Sequence, residues 1–155
     1  MKPWLKCWTV RPPDFIVGSE TDPYLRRWHL LPRNRLFNVY LHNFCRSDDD
    51  RALHDHPWVN MSVLLSGSYM EHVKDGTPRL RKPWHPWAPW RLPMRLATTA
   101  HRIELIEGKC VWTLFVTGPR VRTWGFHCPR GWIPWTEFVE VREGGNAVGK
   151  GCGQD

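Results

Sequence analysis

Prolines punctuate this chain from end to end. There are fourteen among its 155 residues, and each fixes φ and removes a backbone donor, which argues against long uninterrupted helices. The segment from Arg79 to Pro93, RLRKPWHPWAPWRLP, holds four of them and is limited to edge strands or extended loop. Between the prolines, short runs alternate with the period of two that marks a strand. Arg35 to Phe44 places Leu36, Asn38, Tyr40 and His42 on one face and Phe37, Val39, Leu41 and Asn43 on the other. Val59 to Val73 reads as two strands joined at Gly67, Arg95 to Leu105 as another, and Cys110 to Thr117 (CVWTLFVT) as the clearest of all. Arg120 to Phe126 and Glu137 to Val141 complete the series, whereas Tyr24 to Leu31 fits a short helix or an entry strand equally well. About eight or nine short strands, with turn signals about every ten residues, predict an all-β sandwich or barrel.

The length suits one domain. The expected organisation is an N-terminal extension over residues 1–34 that packs on a barrel of residues 35–142. A Gly-rich, disordered tail over residues 143–155 follows. Eleven tryptophans supply a thick aromatic core, a lining for a flat or sugar-like ligand, or surface stacking platforms. A net charge of +7 favours anionic partners, although the basic residues are spread rather than clustered, apart from Arg79-Leu80-Arg81-Lys82. Five cysteines without a C-x-x-C pair form neither a disulfide framework nor a zinc knuckle. No apolar run has the length of a bilayer span, and the first residues lack the apolar core of a secretory signal. The expectation is a soluble, cytoplasmic protein with no membrane partner.

The chemistry concentrates in Arg51 to Glu71, RALHDHPWVNMSVLLSGSYME. In an extended segment His54 and His56 point the same way, so both imidazoles can reach one metal ion. A third imidazole, His101, lies on the face of its strand that also carries Arg95, Ile103 and Leu105. The acidic turn Ser47-Asp48-Asp49-Asp50 reads as solvated, and His42, His72, His85 and His127 lack ligand spacing. No nucleophile elbow, P-loop or dinucleotide fingerprint is present.

His54-x-His56, followed by position 60 and then Gly67, resembles the first motif of the cupin superfamily, H-x-H-x(3)-E-x(6)-G. His101 falls where the second motif places its histidine, without that motif's Pro-x-Gly turn and terminal Asn. The resemblance spans roughly Arg35 to Thr117 and implies a double-stranded β-helix, the cupin jelly-roll barrel, with a short irregular or helical N-terminal segment. It also implies a divalent metal in the barrel mouth. Asn60 stands where the family carries a glutamate ligand, so the implied set is His54, His56 and His101 alone. That set resembles the thiol dioxygenases among the cupins, which use Fe(II). Three neutral ligands leave the full charge on the ion and open positions for an anionic substrate and dioxygen, and Zn(II) or Ni(II) would accept the same donors.

Facing then assigns the expected neighbours. Arg95 would bind a substrate carboxylate or phosphate, or else form a rim ion pair. Trp58 would wall the site, and Asn60 would hydrogen-bond beside the histidines. Tyr69 would serve as a phenol donor, and Glu71 as an acid/base group or fourth ligand. Asp55 and Arg102 would point away, into structural salt bridges. Trp112, Trp124 and Trp132 read as core. Three functions follow: a metal-dependent, Fe(II)-type oxygenase of a small anionic substrate; a non-catalytic cupin that binds a small molecule or sugar; and a basic, Trp-rich nucleic-acid module built on Arg79 to Trp90. An edge strand from residues 1–34 could mediate a homodimer.

Overall fold

The computed structural model describes residues 10–48, 52–85, 94–142, 145–148 and 151–153. They build two six-stranded antiparallel sheets and a small hairpin. The first sheet contains β1 (Phe15–Gly18), β2 (Pro23–His29), β3 (Asn38–Phe44), β5 (Asn60–Ser66), β8 (Met94–Arg95) and β10 (Val111–Thr117), in the spatial order β1-β2-β3-β10-β5-β8. The second contains β4 (Leu53–His54), β6 (Tyr69–Val73), β7 (Arg79–Arg81), β9 (His101–Leu105), β11 (Gly125–Cys128) and β12 (Gly131–Pro134), in the order β12-β11-β4-β9-β6-β7. A one-turn helix, α1 (Trp135–Phe138), leads into the hairpin of β13 (Val139–Arg142) and β14 (Gly145–Val148). No helix among the described residues is long and apolar enough to cross a membrane.

The strand alternation explains the layering. On β10, Val111, Thr113, Phe115 and Thr117 are buried while the residues between them are half-buried. Phe115 lines the interior cavity, so Trp112 and Leu114 face the other way. On that outer face Trp28 and Leu41 are buried, with Leu30, Leu65 and Trp112 packed against them. Trp28 and Trp112 stack with centroids 5.5 Å apart. Between the sheets, Leu64, Tyr69, Ile103, Leu105 and Val111 form a second buried cluster. Gly67 permits the tight β5–β6 turn: its φ is +84°, and a Cβ there would stand 2.7 Å from Val111 Cγ1, so both the backbone and the space call for glycine.

The strand choice for Tyr24 to Leu31 is settled by pairing, since β2 lies between β1 and β3. The N-terminal segment is therefore part of the sheet rather than irregular or helical from residue 15 onward. Three further expectations are corrected. Arg95 to Leu105 is not one strand: β8 belongs to the first sheet and β9 to the second, with a turn between. Glu137 lies in α1, and strand begins only at Val139. The tail pairs as β14 against β13, and Cys152 is bonded to Cys128, so the cysteines do include a disulfide. Cys45 and Cys110 are free thiols, and Cys45 Sγ donates to the Asn43 backbone and side-chain oxygens. The proline-tryptophan segment contributes β7 as an edge strand, and its residues 86–93 lie outside the described residues.

Candidate metal centre

His54 ends β4 and is the cross-strand partner of His101, the first residue of β9. Directly opposite residues in an antiparallel pair carry their side chains on the same face, so these two imidazoles are set side by side, with ring centroids 5.0 Å apart. His56 has left the strand, and its amide bonds the Ala97 carbonyl at 3.1 Å. That anchor swings its ring to 5.2 Å from His54 and 5.1 Å from His101, centroid to centroid. One ligand nitrogen from each of the three rings lies within 4.8 Å of the others, and the Nε2 atoms of His56 and His101 are 2.9 Å apart.

The donor set fits a divalent ion. Burial pushes His56 well below the ordinary histidine range, assisted by the nearby His101, His54 and Arg95. Burial likewise lowers His101 to about 4, against the hydrogen bond that it donates to Glu71, which acts to raise it. Both rings are neutral at pH 7, the form that ligates metal. Glu71 Oε1 lies 3.0 Å from His101 Nδ1, which places the ring proton on Nδ1 and leaves the Nε2 lone pair for a cation. Behind His54, Asp48 Oδ2 lies 3.6 Å from Nδ1. This aspartate is not solvated as the turn-like sequence implied. It accepts the Ile103 amide at 2.7 Å and the Tyr24 hydroxyl.

Glu71 occupies a different position from either expected role. Its side chain is 1% exposed; Oε1 accepts Arg95 Nε at 2.8 Å and Oε2 accepts Arg81 Nε at 2.6 Å. Burial alone would raise its pKa, but the His101 hydrogen bond and the Arg95 and Arg81 charges hold the carboxyl well below its usual range. It stands behind His101 and outside the metal-competent group. Arg95 is accordingly in the ion pair. Tyr69, buried and lining the cavity, has its phenol raised by burial, while Arg95 hydrogen-bonds its oxygen. Trp58 lines the cavity, and its Nε1 has no hydrogen-bond partner among the described residues. Asn60 does not line it. The chain changes sheets between His54 and Asn60, so strand parity cannot be carried across, and Asn60 pairs with Arg95 on β8.

Asp55 points away as expected but meets Arg122 at 2.8 Å, the Gly125 amide at 2.9 Å, Trp132 Nε1 at 3.0 Å and His127 at 3.2 Å. Arg102 pairs with Glu104. Trp124, expected in the core, instead lines the cavity and stacks on Trp135. The cavity, about 370 Å³, reaches from the histidines past Phe115, Phe126 and Phe138 to Phe15, Tyr24 and Arg27. Sequence reading missed Arg27, Asp48 and Trp124. Only Asp48 had a local signal, the acidic turn.

No family model matches the sequence, and no curated protein does. Solved structures do resemble the fold. A conserved protein with a double-stranded β-helix domain from Klebsiella pneumoniae aligns at TM-score 0.52 and 14% identity, over 73% of this chain and 90% of that one. The polyketide cyclase RemF from Streptomyces resistomycificus aligns at 0.53 and 17%, over 73% and 75%. A cupin-like protein from Thermotoga maritima aligns at 0.50 and 11%, over 70% and 78%. With the two-sheet topology already described, these likenesses show that the chain has the cupin fold, a double-stranded β-helix, and it carries the three-histidine cluster inside.

Proposed function

We propose that this protein is a metal-dependent cupin enzyme, an oxygenase of the Fe(II) type that acts on a small anionic substrate. The observation that carries the reading is the convergence of His54, His56 and His101 at the wall of a largely aromatic cavity. His54, His56 and His101 would hold the ion. A divalent ion held by three neutral imidazoles supplies a Lewis-acidic, and for iron a redox-active, centre with positions left for other ligands.

The chain's own residues do the rest. Glu71 fixes the tautomer and tilt of His101, and Arg81 and Arg95 keep that carboxylate charged. Asp48 sets a carboxylate 3.6 Å from His54 Nδ1. Trp58, Phe115, Trp124 and Phe126 exclude water and offer flat surfaces to an apolar body. Tyr69, whose phenol burial keeps protonated, is the proton-holding group at the cavity wall. Glu71 is a positioning residue in this scheme. Cupin-like folds carry many reactions, a cyclase among the neighbours above, so the choice of oxygenase rests on the donor set and not on the barrel.

The test is metal analysis of the purified protein and of His54→Ala and His101→Ala, followed by oxygen uptake with the Fe(II)-loaded protein and a panel of small acids and thiols. Near-stoichiometric metal that both variants lose supports the site; the same background in all three removes it. Metal without oxygen uptake for any substrate favours the non-catalytic binder. The nucleic-acid reading would require oligonucleotide affinity that falls steeply with salt. A homodimer would show in the solution mass.

A further inference from the structure

Arg27 on β2 lines the cavity and is the register partner of His42 on β3. Its Nε donates to His42 Nε2 at 2.9 Å. Its guanidinium carbon lies 4.9 Å from the Tyr40 ring centroid and 5.9 Å from that of Phe15. Among the described residues no carboxylate is within ion-pair distance of Arg27, and its terminal nitrogens make no hydrogen bond. The other arginines near the interior differ: Arg81 and Arg95 share Glu71, and Arg122 has Asp55. Burial lowers the Arg27 pKa without an acid to offset it. A guanidinium remains charged all the same, so the cavity holds a half-buried positive charge with no counter-ion among the described residues.

His42 repeats the pattern. It is 2% exposed and lines the cavity. Because its Nε2 accepts from Arg27, the ring proton is on Nδ1, and Nδ1 has no partner among the described residues. Its register neighbour Thr113 is also buried, with an Oγ1 that has no partner among the described residues. Buried polar atoms left unpaired in one place call for a polar group that the protein does not itself supply. The distance to the histidine cluster is one ring: the Phe115 centroid is 5.0 Å from that of His42 and 6.0 Å from that of His56.

We propose that Arg27, with His42 beside it, is an anion subsite that seats the carboxylate of an aryl-substituted acid, the aromatic part lying along Phe115 toward His54, His56 and His101. A carboxylate there takes the two terminal guanidinium N–H groups in a forked pair. The apolar body contacts the ring-lined wall, and the cavity volume is within the range of small-molecule sites. The subsite gives the anionic substrate of the proposed function a chemical class and rests on that reading for its reacting end only. It also moves the anion's partner from Arg95, already paired, to Arg27.

The experiment is calorimetric titration of the chelator-treated, metal-free protein with 3-phenylpropanoate and with its uncharged analogue 3-phenylpropanamide. The expected result is at least a 30-fold preference for the carboxylate in the wild type. Arg27→Gln should reduce that preference below threefold, with Arg27→Lys in between. Equal affinities in the wild type, binding of neither probe, or a preference that survives Arg27→Gln would overturn the subsite, and the wild-type comparison stands even if the variant does not fold. Metal-free conditions keep the two proposals apart. An Arg27-dependent preference in a protein that binds no metal sustains the subsite and ends the metal reading. Stoichiometric metal with no such preference does the reverse.

Discussion

Glu71 Oε1 lies 3.0 Å from Nδ1 of His101, while Nε2 of the same ring is 2.9 Å from Nε2 of His56. One imidazole thus connects a buried carboxylate to the point where the three rings meet. Glu71→Gln keeps the shape but removes the charge that orients and polarises the ring. Metal affinity, measured by competition with a chromogenic chelator, should fall roughly 10- to 100-fold. The same change leaves Arg81 and Arg95 without their acid and should cost about 3 kcal/mol in urea unfolding. Unchanged metal affinity would show that Glu71 has only a packing role.

Stability of the metal-free protein should depend on pH through its buried imidazoles. Burial holds His42, His56 and His101 below the histidine value of 6.5, His101 at about 4. Once unfolded they bind protons that the folded protein does not, so stability is complete above pH 6.5 and declines as the pH falls toward 4. The His101 shift alone is worth about 3 kcal/mol. Urea midpoints between pH 7 and pH 4 test this, and His42→Gln should flatten the slope in that window. Glu71, whose pKa is depressed, acts lower: its contribution is present above its ordinary value of 4.5 and is lost as the pH falls through the folded value.

Asp55 joins Arg122, His127, Trp132 and the Gly125 amide on the side of the chain away from the histidines. Asp55→Ala should destabilise by about 3 kcal/mol, because Arg122 and a buried amide lose their acceptor together. Thermal unfolding gives the loss. A change within experimental error would mean the ion pairs are replaced by solvent.

The Cys128–Cys152 bond closes a loop across a sequence separation of 24. Loop-closure entropy for that length predicts a stabilisation of about 3 kcal/mol. Cys152→Ser, or a reductant, should lower the melting temperature by the corresponding amount, and free Cys45 and Cys110 should titrate with Ellman's reagent before it is reduced.

The part of this architecture that shows in the sequence is local. Period-two alternation places β3, β5, β6 and β10 to within a few residues, and the expectation that His54, His56 and His101 meet comes from the His-x-His spacing, the strand face of His101 and the cupin resemblance together. Parity failed wherever the chain passed from one sheet to the other. It crosses between His54 and Asn60, which displaced Asn60 from the cavity, and again between Arg95 and His101. Arg95 still reaches His101, but through Glu71, a contact made from three different strands that no spacing rule encodes. The tail's glycines concealed a hairpin because pairing depends on the partner strand and not on composition. Arg27 was invisible for another reason: what marks it is a partner it lacks, and that appears only once every nearby carboxylate has been placed.

Two of the three imidazoles are braced from behind, His54 by Asp48 and His101 by Glu71. The described residues give His56 no such support; its only ring hydrogen-bond contact is His101 itself. A change in the coordination around a shared guest would therefore meet least resistance at His56, which is held through its amide hydrogen bond to Ala97 and not by a carboxylate on its ring.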